Sequence, residues 1–203
     1  LYIYGFSDNS LRSLVSGNSG NINLPGTSWN QATGKIVFSS DREPHDEIYS
    51  IPANGSSGNE TRVTNRKNKV AYEATLSPDG NCIIFESHNI DQENNGVITK
   101  YIIDGNSGYI ELTDASEDCR QPNWSPAGNL ILYQKYENGN WNIWIMKTDG
   151  SEKQQITTMG GDNTDASFSP DGNWIVFSSN YGSLPFANIY AVSLQGGNPV
   201  RIT

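Results

Sequence analysis

The stretch Asp165–Thr203 reads D-A-S-F-S-P-D-G-N-W-I-V-F-S-S, then a loop, then N-I-Y-A-V-S-L-Q-G-G-N-P-V-R-I-T. Four short strands are legible in it. Ser167 to Ser169 runs into a Ser-Pro-Asp-Gly turn, in which Pro170 presets φ and Gly172 tolerates a left-handed exit. Trp174 to Ser178 returns, and Ile189 to Leu194 is rich in β-branched and aromatic residues. Gly196-Gly197-Asn198 then turns the chain back, and Val200 to Thr203 closes the set. One such unit is a four-stranded antiparallel sheet.

The unit recurs back to the start of the chain. Ser77-Pro78-Asp79-Gly80 leads to Ile83-Ile84-Phe85, and Ser125-Pro126-Ala127-Gly128 leads to Ile131-Leu132-Tyr133, at the offset that joins Gly172 to Ile175-Val176-Phe177. A shortened copy, Asn30 to Gly34, leads to Ile36-Val37-Phe38. Units close at Thr64, Thr113, Thr157 and Thr203, with spacings of 49, 44 and 46 residues. A period of about 45 residues with four strands per repeat is the signature of propeller blades. The fold expected is all-β, a β-propeller of four-stranded antiparallel blades.

The strings Phe38-Ser39-Ser40-Asp41-Arg42, Glu47-Ile48-Tyr49-Ser50-Ile51 and Arg62-Val63-Thr64, together with the three S-P-x-G turns, resemble the TolB-type, WD-repeat-like β-propeller repeat of bacterial periplasmic and secreted proteins. The resemblance covers nearly the whole chain and departs from the pattern at Ala127 and near Gly34. It implies a periplasmic or extracellular location and a role in partner binding, sensing or support of a neighbouring peptidase domain. The sequence is also similar to propeller lyases that act on pectin fragments. Those depend on a cluster of metal-binding histidines, which His45 and His88 alone do not supply.

Leu1 to Val15 aligns without a gap on the outer half of the last unit: Tyr2 falls on Tyr190, Phe6 on Leu194 and Leu14 on Ile202. The organisation is therefore one propeller domain over 1–203, with a half blade at 1–15 and blades at 27–64, 72–113, 121–157 and 165–203. Eighteen strands make four and a half blades. That implies an open arc of a larger propeller, a five-bladed ring with one half-blade, or self-association through unpaired blade edges. The chain starts inside a strand pattern, which reads as a piece of a longer polypeptide carrying no signal peptide of its own.

A net charge of −9 disfavours any partner that must be held through phosphates, and equally a polyanionic glycan or an anionic lipid surface. No apolar run approaches the ~18 residues of a membrane span, so no membrane insertion is expected. Cys82 and Cys119 read as free thiols, with a disulfide as the alternative.

Antiparallel connectivity sorts the loops onto two faces. The longer ones are the second-to-third-strand loops at 39–46, 87–96, 135–140 and 179–188 and the blade crossings at 65–71, 114–120 and 158–164. They share one face, which is the expected binding face. Glu73, Gln121 and Asp165 stand three residues before the inner-strand positions Leu76, Trp124 and Phe168, at the mouth of the central channel. They either cap backbone N–H groups between blades or form a ring of acceptors for a cation, a sugar hydroxyl or a peptide amine. Arg42, His88, Tyr136, Trp141 and Tyr181 are further candidate ligand contacts. Tyr136, Trp141, Tyr181 and Phe186 alternate with Asn138, Asn140, Asn180 and Asn188, an arrangement that suits a neutral glycan or an extended peptide. Asp114, Glu117 and Asp118 are either a solvated acidic loop or oxygen ligands for Ca²⁺.

The repeated large apolar residues Trp29, Leu76, Trp124 and Phe168, and the aromatics Phe38, Phe85, Tyr133 and Phe177, read as packing between blades. No G-x-S-x-G elbow, H-E-x-x-H or recognisable cysteine nucleophile is present, and no cofactor is expected. The function expected is non-enzymatic binding of a protein segment or a glycan through the long-loop face. The rivals are a glycan-active enzyme using Glu73 and Asp165 as a carboxylate pair, and a structural propeller beside a hydrolase.

Overall fold

The structure is a computed structural model of the chain and describes residues 1–15, 22–92, 94–103, 106–182 and 186–203. Eighteen strands and no helix occur among the described residues. The first hairpin is β1 (Tyr2–Gly5) with β2 (Ser10–Ser13). Blade one is β3 (Ile22–Asn30), β4 (Lys35–Ser40), β5 (Glu47–Pro52) and β6 (Thr61–Arg62). Blade two is β7 (Lys69–Leu76), β8 (Cys82–Asn89), β9 (Val97–Ile102) and β10 (Ile110–Glu111). Blade three is β11 (Cys119–Trp124), β12 (Leu130–Glu137), β13 (Asn140–Lys147) and β14 (Gln154–Gln155). Blade four is β15 (Asn163–Phe168), β16 (Trp174–Ser179), β17 (Asn188–Ser193) and β18 (Val200–Arg201). Every sheet is antiparallel in simple sequence order, and inner strands of all four blades line a central channel. This is a β-propeller of four complete blades with an additional half-blade hairpin.

Inner strands begin earlier than the repeat pattern suggests: at Ile22, Lys69, Cys119 and Asn163 instead of 27, 72, 121 and 165. The cause is a register shift on each inner strand, between Ile22/Thr27, Tyr72/Thr75, Arg120/Asn123 and Thr164/Ser167. A bulge breaks the apolar alternation, so the residues beyond it read as linker although they resume pairing. The crossing at 16–21 and parts of two long loops, at 93 and 183–185, lie outside the described residues.

Neighbouring blades share one kind of joint. Val37 and Ile48 pack on Ile83 and Phe85, Ile84 and Ile98 on Ile131 and Tyr133, and Leu132 and Ile143 on Ile175 and Phe177. Leu14 and Val15 of the half-blade close on Ile36, Phe38, Tyr49 and Ile51 in the same manner. Each fully buried side chain contributes about 1.5–3 kcal/mol, which makes the joints the core. Two positions are less buried in blade four than in the other three. Val37, Ile84 and Leu132 are 0% exposed and their fourth copy, Val176, is 37% exposed; Ile48, Ile98 and Ile143 are 0% and Ile189 is 37%.

The expectation that Trp29 is core is corrected: it is 62% exposed, whereas Leu76 and Trp124 are buried. Leu76 and Trp124 each rest in the joint with the preceding blade. Among the described residues blade one is preceded by β1 and β2 alone, which pair as outer strands, and no inner strand there covers Trp29.

Candidate functional site

The left-handed residues of the inner strands converge at the channel mouth. Glu73 (φ 50°), Gln121 (φ 50°) and Asp165 (φ 53°) occupy the bulge of β7, β11 and β15. A non-glycine residue in that region costs about 1–2 kcal/mol, so the conformation persists because the surrounding ladder imposes it. In return the bulge turns each side chain out of the sheet. Gln121 Nε2 donates to Glu73 Oε1 at 3.4 Å and to Asp165 Oδ1 at 3.2 Å, while Asp165 N donates to Gln121 Oε1 at 3.3 Å. Three of the expected site residues are thus joined in one network. A cavity of about 230 Å³ opens over them, lined also by Gly26, Thr27, Pro122 and Asn123. Gly26 occupies the equivalent place in blade one, so the acceptor ring has a gap on that side.

Beneath the ring lies a charge network that sequence reasoning missed. Glu86 on β8 pairs with Tyr72 in the ladder and is buried, with Arg120 Nε 3.9 Å from its carboxylate. Burial, with the adjacent Glu73 adding to it, pushes the Glu86 carboxyl up to about 8, against the pull of Arg120. Burial also raises Glu73, where the hydrogen bond from Gln121 opposes it and the charge of Asp165 adds to it. Glu73 Oε2 is buried without a hydrogen-bond partner among the described residues. One signal was available: the residue after the buried Phe or Tyr of β4, β8, β12 and β16 is Ser39, Glu86, Gln134 and Ser178, and only blade two places a charge there.

The remaining candidates are dispersed. Arg42 lies in the joint with the half-blade, its guanidinium 4.3 Å from the Tyr49 ring and 5.5 Å from Phe38, with Nε donating to Ser40 Oγ at 3.2 Å. His88 is buried, its ring 5.4 Å from that of Tyr72. His45 sits 3.5 Å from Glu47 on a different blade. Tyr181 is exposed on blade four, and the rings of Tyr136 and Trp141 on blade three are 5.3 Å apart. The loop expected at 135–140 is instead a continuation of β12 and β13 through a two-residue Asn138-Gly139 turn, with φ of 53° and 85°. That turn type matches strand twist and leaves no floppy connection.

Asp114, Glu117 and Asp118 do not point to one centre. Glu117 bonds Lys135 at 2.7 Å and Lys153 at 3.2 Å; burial pushes its carboxyl up, but the two ammonium groups outweigh that and hold it low. Asp118 is clamped by Arg120, and Asp114 accepts from Ser116 N and Oγ at 2.8 and 2.7 Å. Among the described residues no three His, Cys, Asp or Glu side chains are grouped to hold a metal ion. Neither cysteine is in a disulfide among the described residues; Cys119 is buried, which pushes its thiol up to about 12.

A rigid ring of blades with a polar channel mouth and chemistry-poor turns opposite defines the class: a β-propeller scaffold that presents loops. The family described as TolB beta propeller domain matches residues 94–203, more than half of the sequence, and the chain belongs to it. Tol-Pal system protein TolB of Francisella tularensis subsp. mediasiatica (strain FSC147) is 30% identical over 107 residues, covering 53% of this chain and 24% of that protein. Protein TolB homolog of Chlorobium luteolum is 29% identical over 149 residues, covering 73% of this chain and 32% of the relative. The chain therefore spans between about a quarter and a third of the length of the curated relatives it matches. A structure named as TolB from Agrobacterium tumefaciens superposes with a TM-score of 0.84 at 23% identity, over 98% of this chain and 72% of that one. TolB from Acinetobacter baumannii gives 0.82 at 17% identity, over 100% and 48%. A chain of a nidogen/laminin complex gives 0.74 at 12%, over 98% and 72%. At such identities the structural likeness establishes the fold.

Proposed function

We propose that this chain is a non-enzymatic recognition module of a periplasmic or extracellular protein, engaging a segment of a partner protein through its long-loop face at the channel mouth. The observation that carries the reading is the convergence of Glu73, Gln121 and Asp165 from three blades on one cavity, held there by strained backbone. Positive φ at three equivalent positions costs stability, and such strain is concentrated where side chains must be aimed. Acceptors predominate there, so the inserted group is a donor such as an amine or amide of the partner. Membership of the TolB propeller family supports the reading, since relatives carry the name Tol-Pal system protein.

The enzymatic rival gains no support from the mouth, because the Gln121 amide bonds to both carboxylates that would have to act as acid and base. Self-association belongs to the same proposal: the exposed face of blade four, with Val176 and Ile189, is where a second copy would seat.

The test is a pull-down from periplasmic extract with the wild-type chain and with Gln121→Ala and Asp165→Asn. Capture of a defined partner, lost in both variants at unchanged melting temperature, is the expected result. Turnover of an oligosaccharide that disappears in Glu73→Gln would sink the non-enzymatic reading.

A further inference from the structure

Away from the channel, the rim between blades two and three carries a cleft of about 610 Å³, lined by Asn94, Asn95, Ser116, Arg120, Tyr136 and Trp141 around Asp118. That volume lies within the ~300–1,000 Å³ of small-molecule sites. Blade three alone builds one wall of it. Its middle hairpin continues in regular pairing through Tyr136↔Trp141 and Glu137↔Asn140, whereas β4–β5, β8–β9 and β16–β17 stop pairing at Ser40↔Glu47, Ser87↔Val97 and Ser179↔Asn188. The extension lifts an aromatic pair above the face, tilted by 55°, with Tyr136 47% exposed.

The floor is electrically closed. Asp118 takes Arg120 Nε and Nη2 at 2.9 and 3.0 Å and also accepts Gly96 N at 3.0 Å, and the guanidinium lies 5.2 Å from the Trp141 ring. Since the carboxylate and guanidinium satisfy each other, the cleft asks for no ionic partner. The backbone around it is satisfied too: Cys119 N donates to Gly96 O at 2.8 Å, Tyr136 N to Asp118 O at 2.9 Å and Trp141 N to Asp162 Oδ1 at 3.0 Å. Among the described residues these three N–H groups are all taken, so a peptide that binds by adding a strand finds no free donor at those positions. What remains is an aromatic face beside Asn94 and Asn95, whose side chains make no hydrogen bond among the described residues.

We propose that this cleft is a saccharide subsite for an uncharged sugar, whose apolar ring face stacks on Tyr136 and whose hydroxyls are bonded by Asn94, Asn95 and the Ser116 hydroxyl. An aromatic face is apolar but electron-rich and accepts the C–H face of a pyranose, and side-chain amides supply both donors and acceptors to hydroxyls. The net charge of −9 selects against anionic sugars. The site goes beyond the channel-mouth reading and does not depend on it.

The experiment is titration of the wild-type chain with chitotriose, cellotriose, maltotriose and the anionic control trigalacturonate, read by tryptophan fluorescence and saturation-transfer NMR. Saturable binding of at least one neutral sugar is expected, with none for trigalacturonate. Tyr136→Ala and Asn95→Ala are each expected to weaken it by about tenfold or more, the loss of one buried contact or hydrogen bond, at unchanged melting temperature. Glu73→Gln, at the channel mouth, should leave it unchanged. Absence of saturable binding to all three neutral sugars overturns the proposal, as does undiminished affinity in both rim variants. Capture of a peptide by the cleft, without competition from any of the sugars, also overturns it.

Discussion

Thr157 Oγ1 accepts the backbone N–H of Ile143 at 2.9 Å, tying the end of blade three to its own third strand. The same bond recurs from Ile48 to Thr64, Ile98 to Thr113 and Ile189 to Thr203, at 2.8, 2.9 and 2.9 Å. The repeated closing threonine is thus a hydrogen-bond requirement: the fourth strand is only two residues long in the ladder, and a side chain completes what the backbone does not.

Thr157→Val should therefore cost about 1–3 kcal/mol, because a buried N–H loses its acceptor while shape is kept. Thr203→Val should cost well under half as much, since Thr203 is exposed and water replaces the hydroxyl. Urea denaturation of both variants checks the order; equal losses would mean that the hydroxyl does not act as this acceptor.

The S-P-x-G turns give a second ordered pair. Gly80 and Gly172 both have positive φ, of 71° and 72°. A Cβ on Gly172 meets nothing nearer than Pro126 Cδ at 3.7 Å, whereas one on Gly80 collides with the Thr33 side chain. Gly172→Ala is expected to cost about 1–2 kcal/mol from backbone strain alone. Gly80→Ala should cost more, and Thr33→Ser in the same chain should recover the excess, as thermal denaturation of the three variants would show.

Stability should fall as pH rises from about 5 to 8.5. Glu86 has a folded-state value raised from 4.5 to about 8, so the folded chain holds a proton that the unfolded chain has released. Its contribution is fully present below 4.5 and is lost as pH climbs through 8; Glu73, raised in the same direction, adds to the slope. The effect is on the order of 1–3 kcal/mol, because a tenfold difference in proton affinity between the folded and unfolded chain is worth about 1.4 kcal/mol and the two carboxyls share one environment. Melting temperatures of the wild type and Glu86→Gln across that range decide it: the variant should keep only the smaller slope that Glu73 supplies, and a wild type that gains stability with pH refutes the assignment.

The joints predict which copy of a repeated isoleucine matters. Ile143→Ala removes a fully buried side chain and should cost about 2–5 kcal/mol, whereas Ile189→Ala should cost under about 1 kcal/mol. If the exposed face of blade four seats a second copy, light scattering should show concentration-dependent mass growth that Ile189→Asp abolishes. A mass that is independent of concentration removes self-association from the proposal.

Fold and blade order are legible because a repeat states the same local physics several times. The S-P-x-G turns, the I-x-F strands and the closing threonines each set short-range geometry: preset φ at proline, a positive-φ exit at glycine, and alternation that buries one face. The repeat implies eighteen strands, and eighteen are seen among the described residues. The positions of Glu73, Gln121 and Asp165 at the mouth are also readable, since three equivalent offsets must share one place on a rotational scaffold.

The tertiary structure decided what depends on a neighbour. No alternation along β3 shows that Trp29 is exposed, because its cover would come from a strand of the preceding blade and none is there among the described residues. Nothing within β8 shows that Glu86 lies beside Glu73 and Arg120, because burial next to a second carboxylate arises only when β7, β8 and β11 meet. The bulges hid the first residues of each inner strand from the pattern while aiming the side chains that define the mouth. Local sequence determines turns and strand faces through φ preference and burial of one side; charge, exposure and the shape of a cleft are sums over residues far apart in the chain, and only folding brings them within range of one another.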